Sequence, residues 1–373
     1  MFLLFCLFFQ ILLSALSGFY QESDIEVVWS RSNWSTNGNI SRNLQTTPDI
    51  LVHAPDTHAQ EHPSVIALAG GGFLIAWQTY NNTGSARDIW AAIFSPSGIP
   101  GKYFQVTDDS SSEQEYPKAS PSPNGGFVVS FLGRTNNKHK VMFRIFDSNA
   151  DPLSGDIIID EEGTEPQKDP SCTVLANGWI AVIYNDLGDF YGRIYDSTGQ
   201  MITLNTFRVN LASGNLRSPT MTALDDGTFV VVWTYEKDLT FEVRATRINR
   251  YGIRVGTEFK VATLTEASQL AYVSVINGSR YIVVWENGNN DVTAIIFDYD
   301  GNVVVPEFAV NGVNGNINKM PSVARLPDEK FVVAWAAKGP STVGYDIFWR
   351  AFHTSGQPYT TEKRANSETA NDQ

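Results

Sequence analysis

The chain has 373 residues, 42% of them hydrophobic, and its 27 basic residues against 40 acidic ones give a net charge of −13. That acidity argues against nucleic acid and anionic membrane surfaces as partners. Of its two cysteines, Cys6 lies in an apolar leader and only Cys172 lies beyond it, so the remainder closes no internal disulfide and relies on a large core instead.

The first 17 residues, MFLLFCLFFQILLSALS, are apolar and uncharged and end in small residues, with Ala15-Leu16-Ser17 as the expected cleavage site. This reads as a secretory signal, although the usual basic residue after Met1 is missing and an uncleaved anchor is the alternative. The stretch is short for spanning about 30 Å of hydrocarbon, and no other segment is apolar enough to span it. The expected product is a secreted or cell-surface chain, monomeric, with no membrane span after cleavage.

Residues 18–61 read as an N-terminal hairpin and linker. Trp34-Ser35-Thr36-Asn37-Gly38 and Leu44-Gln45-Thr46-Thr47 match the third and fourth strands of a repeat that then occupies residues 62–365. Six copies are signalled by GGGFLIAW, NGGFVVSF, ANGWIAVI, DDGTFVVVW, NGSRYIVVW and DEKFVVAW. Their lead aromatics, Phe73, Phe127, Trp179, Phe229, Tyr281 and Phe331, recur every 50 to 54 residues. A period of this length marks a propeller, solenoid or array.

Each copy opens into four strand-like pieces. A short alternating segment follows Pro63, Pro117, Pro170, Pro219, Ala271 or Pro321. A Gly, Asn or Asp turn leads into the aromatic run, as a hairpin requires. A third piece ends on a polar turn, such as Phe297-Asp298-Tyr299-Asp300-Gly301, and a fourth is short, such as Phe308-Ala309-Val310. The second piece is apolar at consecutive positions, so both of its faces must be buried. Small sheets packed face to face around an axis meet that need. The expected fold is all-β, a β-propeller of six complete four-stranded blades plus the N-terminal hairpin, with seven blades as the alternative. Residues 366–373 form a polar tail.

Four N-x-S/T sequons, at Asn33, Asn39, Asn81 and Asn277, agree with a secreted glycoprotein. Cys172 aligns with Val65, Met221, Val273 and Val323 on the apolar side of the first strand and is expected to be a buried thiol. The acidic residues Asp108, Asp109, Glu113, Glu115, Asp160, Glu161, Glu162 and Glu165 gather in connections between copies and read as a solvated rim. Asp147-Ser148-Asn149-Ala150-Asp151 begins like a calcium loop, but Pro152 and Ile158 stand where such a loop needs Gly and Glu. No cofactor is expected, with calcium only a weak secondary reading. His53, His58 and His62 share a linker without a convincing fourth ligand, and no zinc site is expected.

Catalytic motifs are absent: there is no G-x-S-x-G elbow, P-loop or H-E-x-x-H. Leu224-Asp225-Asp226-Gly227-Thr228-Phe229 superficially resembles the Asp-box of sialidase propellers, yet it lacks the preceding Ser or Thr and the other five copies do not repeat it. One column of the first strand is polar or polar-tipped in every copy: Ser64, Lys118, Ser171, Thr220, Tyr272 and Ser322. It should face the central channel or the cleft between blades, with His62, Tyr116 and Asp169 at the channel mouth. Lys118 and Tyr272 depart most from small hydroxyls and are the leading binding candidates, followed by His62, Tyr116 and Asp169.

Pro321-Ser322-Val323, Phe331-Val332-Val333-Ala334-Trp335, Phe297-Asp298-Tyr299-Asp300-Gly301 and Glu307-Phe308-Ala309-Val310-Asn311 together resemble a repeat of large secreted and surface proteins of bacteria and some ciliate proteins. The resemblance implies an extracellular propeller-type repeat with no defined chemistry, and it lacks the Gly-rich calcium nonapeptides that can accompany such repeats. The leading functional expectation is a secreted or surface module that binds a protein or glycan through its loop face. The alternative is a carbohydrate-active enzyme, a glycosidase or lyase, with its site at the channel mouth; it requires two carboxylates converging on one ligand.

Overall fold

A computed structural model describes residue 52 and residues 60–80, 87–108, 113–135, 138–159, 167–264, 270–312, 315–340 and 344–366. The expected signal, the N-terminal hairpin, residues 367–373 of the tail and the sequons at Asn33, Asn39 and Asn81 lie outside them. The described residues form a six-bladed β-propeller of twenty-four strands without a helix.

Blade 1 comprises β1 (Gln60–Ala67), β2 (Phe73–Tyr80), β3 (Arg87–Phe94) and β4 (Pro100–Gln105). Blade 2 comprises β5 (Glu115–Pro121), β6 (Phe127–Thr135), β7 (Lys138–Phe146) and β8 (Ile157–Ile158). Blade 3 follows with β9 (Lys168–Val174), β10 (Ile180–Asp186), β11 (Asp189–Tyr195) and β12 (Phe207–Arg208). In blade 4 the strands are β13 (Asn215–Ala223), β14 (Thr228–Lys237), β15 (Thr240–Asn249) and β16 (Arg254–Leu264). Blade 5 holds β17 (Ala271–Asn277), β18 (Arg280–Glu286), β19 (Val292–Asp298) and β20 (Val303–Ala309). Blade 6 ends the series with β21 (Ile317–Leu326), β22 (Lys330–Lys338), β23 (Asp346–His353) and β24 (Lys363–Arg364).

Every blade is an antiparallel meander paired in chain order, and the first strands of consecutive blades lie beside one another, which makes them the innermost. The second strands carry the burial predicted from their unbroken apolar runs: β2, β6, β14 and β22 are buried along nearly their whole length. Cores are shared between neighbours, as where Val230, Val232 and Val243 of blade 4 meet Tyr281, Val283 and Trp285 of blade 5. Stacked aromatic pairs across the second and third strands repeat around the ring: Phe73 with Phe94 at 5.0 Å, Phe127 with Phe146 at 5.0 Å, Tyr281 with Phe297 at 5.4 Å and Phe331 with Phe352 at 5.3 Å. Each pair adds about 0.5–1.5 kcal/mol beyond its burial.

Blade 3 corrects one alignment made from the sequence. Ile180 pairs with Tyr195 as Phe73 pairs with Phe94, so Ile180 fills the lead position and Trp179 stands one residue outside the core strand. A tryptophan beside an apolar run imitates the lead aromatic of the other copies, which is why the pattern slips by one.

Hydroxyls of the first strands sew the blades together. Ser64 Oγ accepts from the Ala119 amide at 2.9 Å, Ser120 Oγ from Val174 at 3.0 Å and Thr222 Oγ1 from Val275 at 3.2 Å, while Thr220 Oγ1 donates to the Ala271 carbonyl at 3.3 Å. Ser64 and Thr220 of the polar column, with Ser120 and Thr222 two residues farther along their strands, therefore fasten the clefts between blades.

Candidate functional site at the channel mouth

The first strand bends at its proline. In five blades the residue before that proline has a left-handed backbone: His62, Tyr116, Asp169, Ser218 and Met320, with φ between 52° and 56°. The ladder register shifts at the same points, between Glu61 and Ser64, Glu115 and Lys118, Ile183 and Asn185, Arg217 and Thr220, and Lys319 and Ser322. Such a conformation costs about 1–2 kcal/mol at each non-glycine residue, and β-bulges of this kind re-aim side chains. The strained residues stand at the N-terminal ends of the innermost strands, which is one end of the central axis.

Latches from the preceding blade hold two of them. Gln78 Oε1 accepts the Tyr116 amide at 3.1 Å, and Glu286 Oε1 accepts the Met320 amide at 2.6 Å. Asn185, in the same register as both, donates instead to the Leu216 carbonyl at 3.0 Å. Gln78 also donates to Glu61 Oε2 at 2.9 Å, so one buried amide orients both a strained backbone and a carboxylate.

His62, Tyr116, Lys118 and Asp169 converge. The imidazole of His62 lies 4.5 Å from the phenol ring of Tyr116, centroid to centroid. Burial lowers the His62 pKa, against the pull of Glu61 and with the help of the nearby Lys118 and Arg87 charges. Burial also raises the Tyr116 pKa, with Glu115, Asp169 and Glu61 acting in the same direction and Arg87 against them. Asp169 is raised by burial as well, against Lys168, Lys118 and Arg217. Tyr116 on blade 2 thus stands between Asp169 on blade 3 and Glu61 on blade 1.

Tyr272 takes a different place. It shares the register of Lys118, but its ring packs on the apolar core between blades 5 and 6 with Val305, Phe308 and Phe348. Cys172 is buried, its thiol pushed up to about 11 by burial, and its Sγ donates to the Lys118 carbonyl at 3.3 Å.

Sequence reasoning passed over Arg87. Its guanidinium donates to Tyr80 Oη at 2.8 Å, to Glu113 Oε1 at 2.9 Å and to Glu115 Oε1, so two carboxylates of the expected solvated rim are fixed by an ion-pair network. Burial opposes the Arg87 charge, and the Tyr80 hydrogen bond with the Glu115 and Glu113 carboxylates overcomes it and raises the pKa. Asp108 is likewise paired, with Arg144 at 2.6 Å. Asp147 of the calcium-like segment accepts the Asn149 and Asp151 amides, both at 2.8 Å, and works as a turn residue. Among the described residues no cluster of His, Cys, Asp and Glu has the makings of a metal site.

Comparison with known proteins places the fold without a sequence family. No protein-family model matches the chain, and no curated protein matches it. A protein of unknown function from Dyadobacter fermentans is similar in structure, with a TM-score of 0.57 at 10% identity over 82% of this chain and 97% of that one. An α-L-arabinofuranosidase of Fusarium graminearum matches with a TM-score of 0.56 at 11% identity over 81% and 96%. A Hadza microbial sialidase matches with a TM-score of 0.53 at 11% identity over 74% of this chain and 63% of its own. At these identities the likeness is one of fold.

Proposed function

We propose that the protein is a carbohydrate-active propeller that cleaves a glycosidic bond at the channel mouth. One observation carries the reading: two carboxyl groups in contrasting environments flank an exposed aromatic ring. Asp169 is pushed toward its neutral form by burial, Glu61 is oriented by Gln78, and Tyr116 lies between them on the intervening blade. A pair of carboxyl groups on either side of a sugar is the arrangement glycoside hydrolysis uses.

A sugar ring seated on Tyr116 would have Asp169 to one side and Glu61 to the other. Asp169 gives its proton to the glycosidic oxygen as the bond from the anomeric carbon breaks, and the leaving sugar departs as an alcohol. Glu61 stabilises the positive charge that develops at the anomeric carbon, and a water then gives its hydroxyl to that carbon and its proton back to Asp169. The enzymes named above, a sialidase and an arabinofuranosidase, support the reading as propellers that act on sugars. A glycan-binding module using the same residues is the second reading, favoured by Lys118, which has no ion-pair partner among the described residues and acts on both His62 and Asp169.

The test is product release from a panel of 4-nitrophenyl glycosides and from the matching oligosaccharides. Turnover should appear on at least one sugar. Asp169→Asn should cut the rate on the oligosaccharide by about a hundredfold or more, and less on the nitrophenyl glycoside, whose leaving group needs no proton. No release from any member would reject the glycosidase, and binding that Tyr116→Ala abolishes would then support the binding module.

A further inference from the structure

The opposite face of the ring, formed by the turns from first to second and from third to fourth strands, carries an aromatic arrangement that the mouth does not explain. Trp179 follows the first turn of blade 3, and Arg250 and Tyr251 occupy the β15–β16 turn of blade 4. The rings of Trp179 and Tyr251 meet edge to face with centroids 5.7 Å apart. The Arg250 guanidinium lies 5.2 Å from the Tyr251 centroid and 5.9 Å from that of Trp179.

We propose that Trp179, Arg250 and Tyr251 form a second sugar-binding site, in which a glycan residue stacks on the exposed part of Tyr251 and its hydroxyls meet the Arg250 guanidinium.

The repeat supplies the control. Strand register equates Trp179 with Gly72, Gly126, Thr228, Arg280 and Lys330, so no other blade places an aromatic there. In the turns equivalent to Arg250-Tyr251, four blades carry Pro96-Ser97, Ser148-Asn149, Ser197-Thr198 and Thr354-Ser355. Only blade 5 also has a tyrosine, and it shows what a structural one does. The hydroxyl of Tyr299 donates to the Asn277 carbonyl at 3.0 Å and accepts the Asp225 amide of blade 4 at 3.3 Å. Tyr251 is 51% exposed, and its hydroxyl has no partner among the described residues.

The platform is also held stiffly before any ligand arrives. Asn249 Oδ1 accepts the amides of Tyr251 at 2.9 Å and Ile253 at 3.1 Å, and Asn177 Oδ1 accepts the amide of Trp179 at 3.1 Å. Arg250 has no carboxylate partner among the described residues, unlike Arg87, Arg144, Arg244 and Arg247, which are all paired. An exposed aromatic ring beside free guanidinium donors suits a flat ligand with one apolar face and several hydroxyls. Bases stack on such rings too, but a chain of net charge −13 repels a nucleic-acid backbone. A sugar ring offers one apolar face and several hydroxyls to this surface, and the site stands whether or not the mouth is catalytic.

The test is affinity electrophoresis of the full chain through native gels containing arabinan, xylan, mixed-linkage glucan or mucin. The wild-type chain should be retarded in at least one gel. Tyr251→Ala, made in an exposed turn, should weaken the apparent affinity about tenfold, and Tyr251→Phe should keep most of it. Tyr251→Ala should cause the same loss when introduced into Asp169→Asn, which separates this site from the mouth. Free migration of the wild type in all four gels would overturn the proposal. So would Tyr251→Ala migrating like the wild type, or retardation that vanishes with Asp169→Asn and survives Tyr251→Ala.

Discussion

The backbone amide of Tyr116 donates to the side-chain oxygen of Gln78 on the preceding blade, across 3.1 Å. This one bond joins the strained entrance of a first strand to the end of a buried second strand. Gln78→Leu is the informative change, because Leu132 occupies the same register in blade 2 and the volume is tolerated there. The substitution strands the Tyr116 amide and removes a donor from Glu61, so it should cost about 1–3 kcal/mol in a denaturant titration. It should also weaken any ligand at the mouth.

The proton on Asp169 makes stability depend on pH in a defined sense. Because burial raises its folded pKa above 3.8, the folded chain holds this proton more tightly than the unfolded chain does. The contribution is fully present below that ordinary value and is lost as pH rises through the raised one. Asp196 runs the other way. Burial would raise it, but the Thr198 hydroxyl and the amides of Gln200, Thr198 and Gly199 outweigh burial and lower it, so its contribution is present above 3.8 and lost as pH falls. The thermal midpoint of the wild type should therefore fall relative to that of Asp169→Asn as pH rises across the acidic range. Parallel curves would show that Asp169 has an ordinary affinity for its proton.

Gly126 tests the tightness of the hairpin that feeds the second strand. A Cβ there would sit 2.1 Å from the Phe146 carbonyl oxygen, a backbone atom that cannot rotate away. Gly126→Ala should lower stability by about 1–3 kcal/mol. Lys330→Ala, at the same register in blade 6, should cost less, about 0.5–1 kcal/mol, for its ammonium 4.6 Å from the Tyr359 ring centroid. Chemical denaturation of both variants checks the contrast.

The Cys172 thiol, raised to about 11 in a buried site, should ignore iodoacetamide at neutral pH in the native protein. Peptide mapping should find it labelled only after denaturant is added. Rapid native labelling would place the thiol outside the blade 2–blade 3 core.

The architecture was legible because each blade repeats the same physical demand. A second strand buried on both faces must be apolar at successive positions, and six such runs separated by hairpin turns identify the propeller. The Trp179 slip arose where a half-buried ring adjoined that run. The left-handed residues at His62, Tyr116 and Asp169 left no such mark, since nothing in an X-Pro pair announces a bulge. Gln78 and Arg87 were missed for a related reason: the Gln78 column runs through Leu132, Asn185, Thr234, Glu286 and Ala336, and the Arg87 column holds His139 in blade 2, so repetition, the strongest signal in the chain, says nothing about them. Lys118 and Tyr272 share a register, and only the packing around the ring separates the one beside the mouth from the half-buried one that packs on the core between blades 5 and 6.

The most direct measurement is a crystal structure of Asp169→Asn soaked with an oligosaccharide that the wild-type protein cleaves or binds. The ring should stack on Tyr116, with the glycosidic oxygen within hydrogen-bond distance of residue 169 and the Glu61 carboxylate on the other side. Sugar density absent from Tyr116 while the oligosaccharide occupies another part of the molecule would contradict the assignment of the mouth.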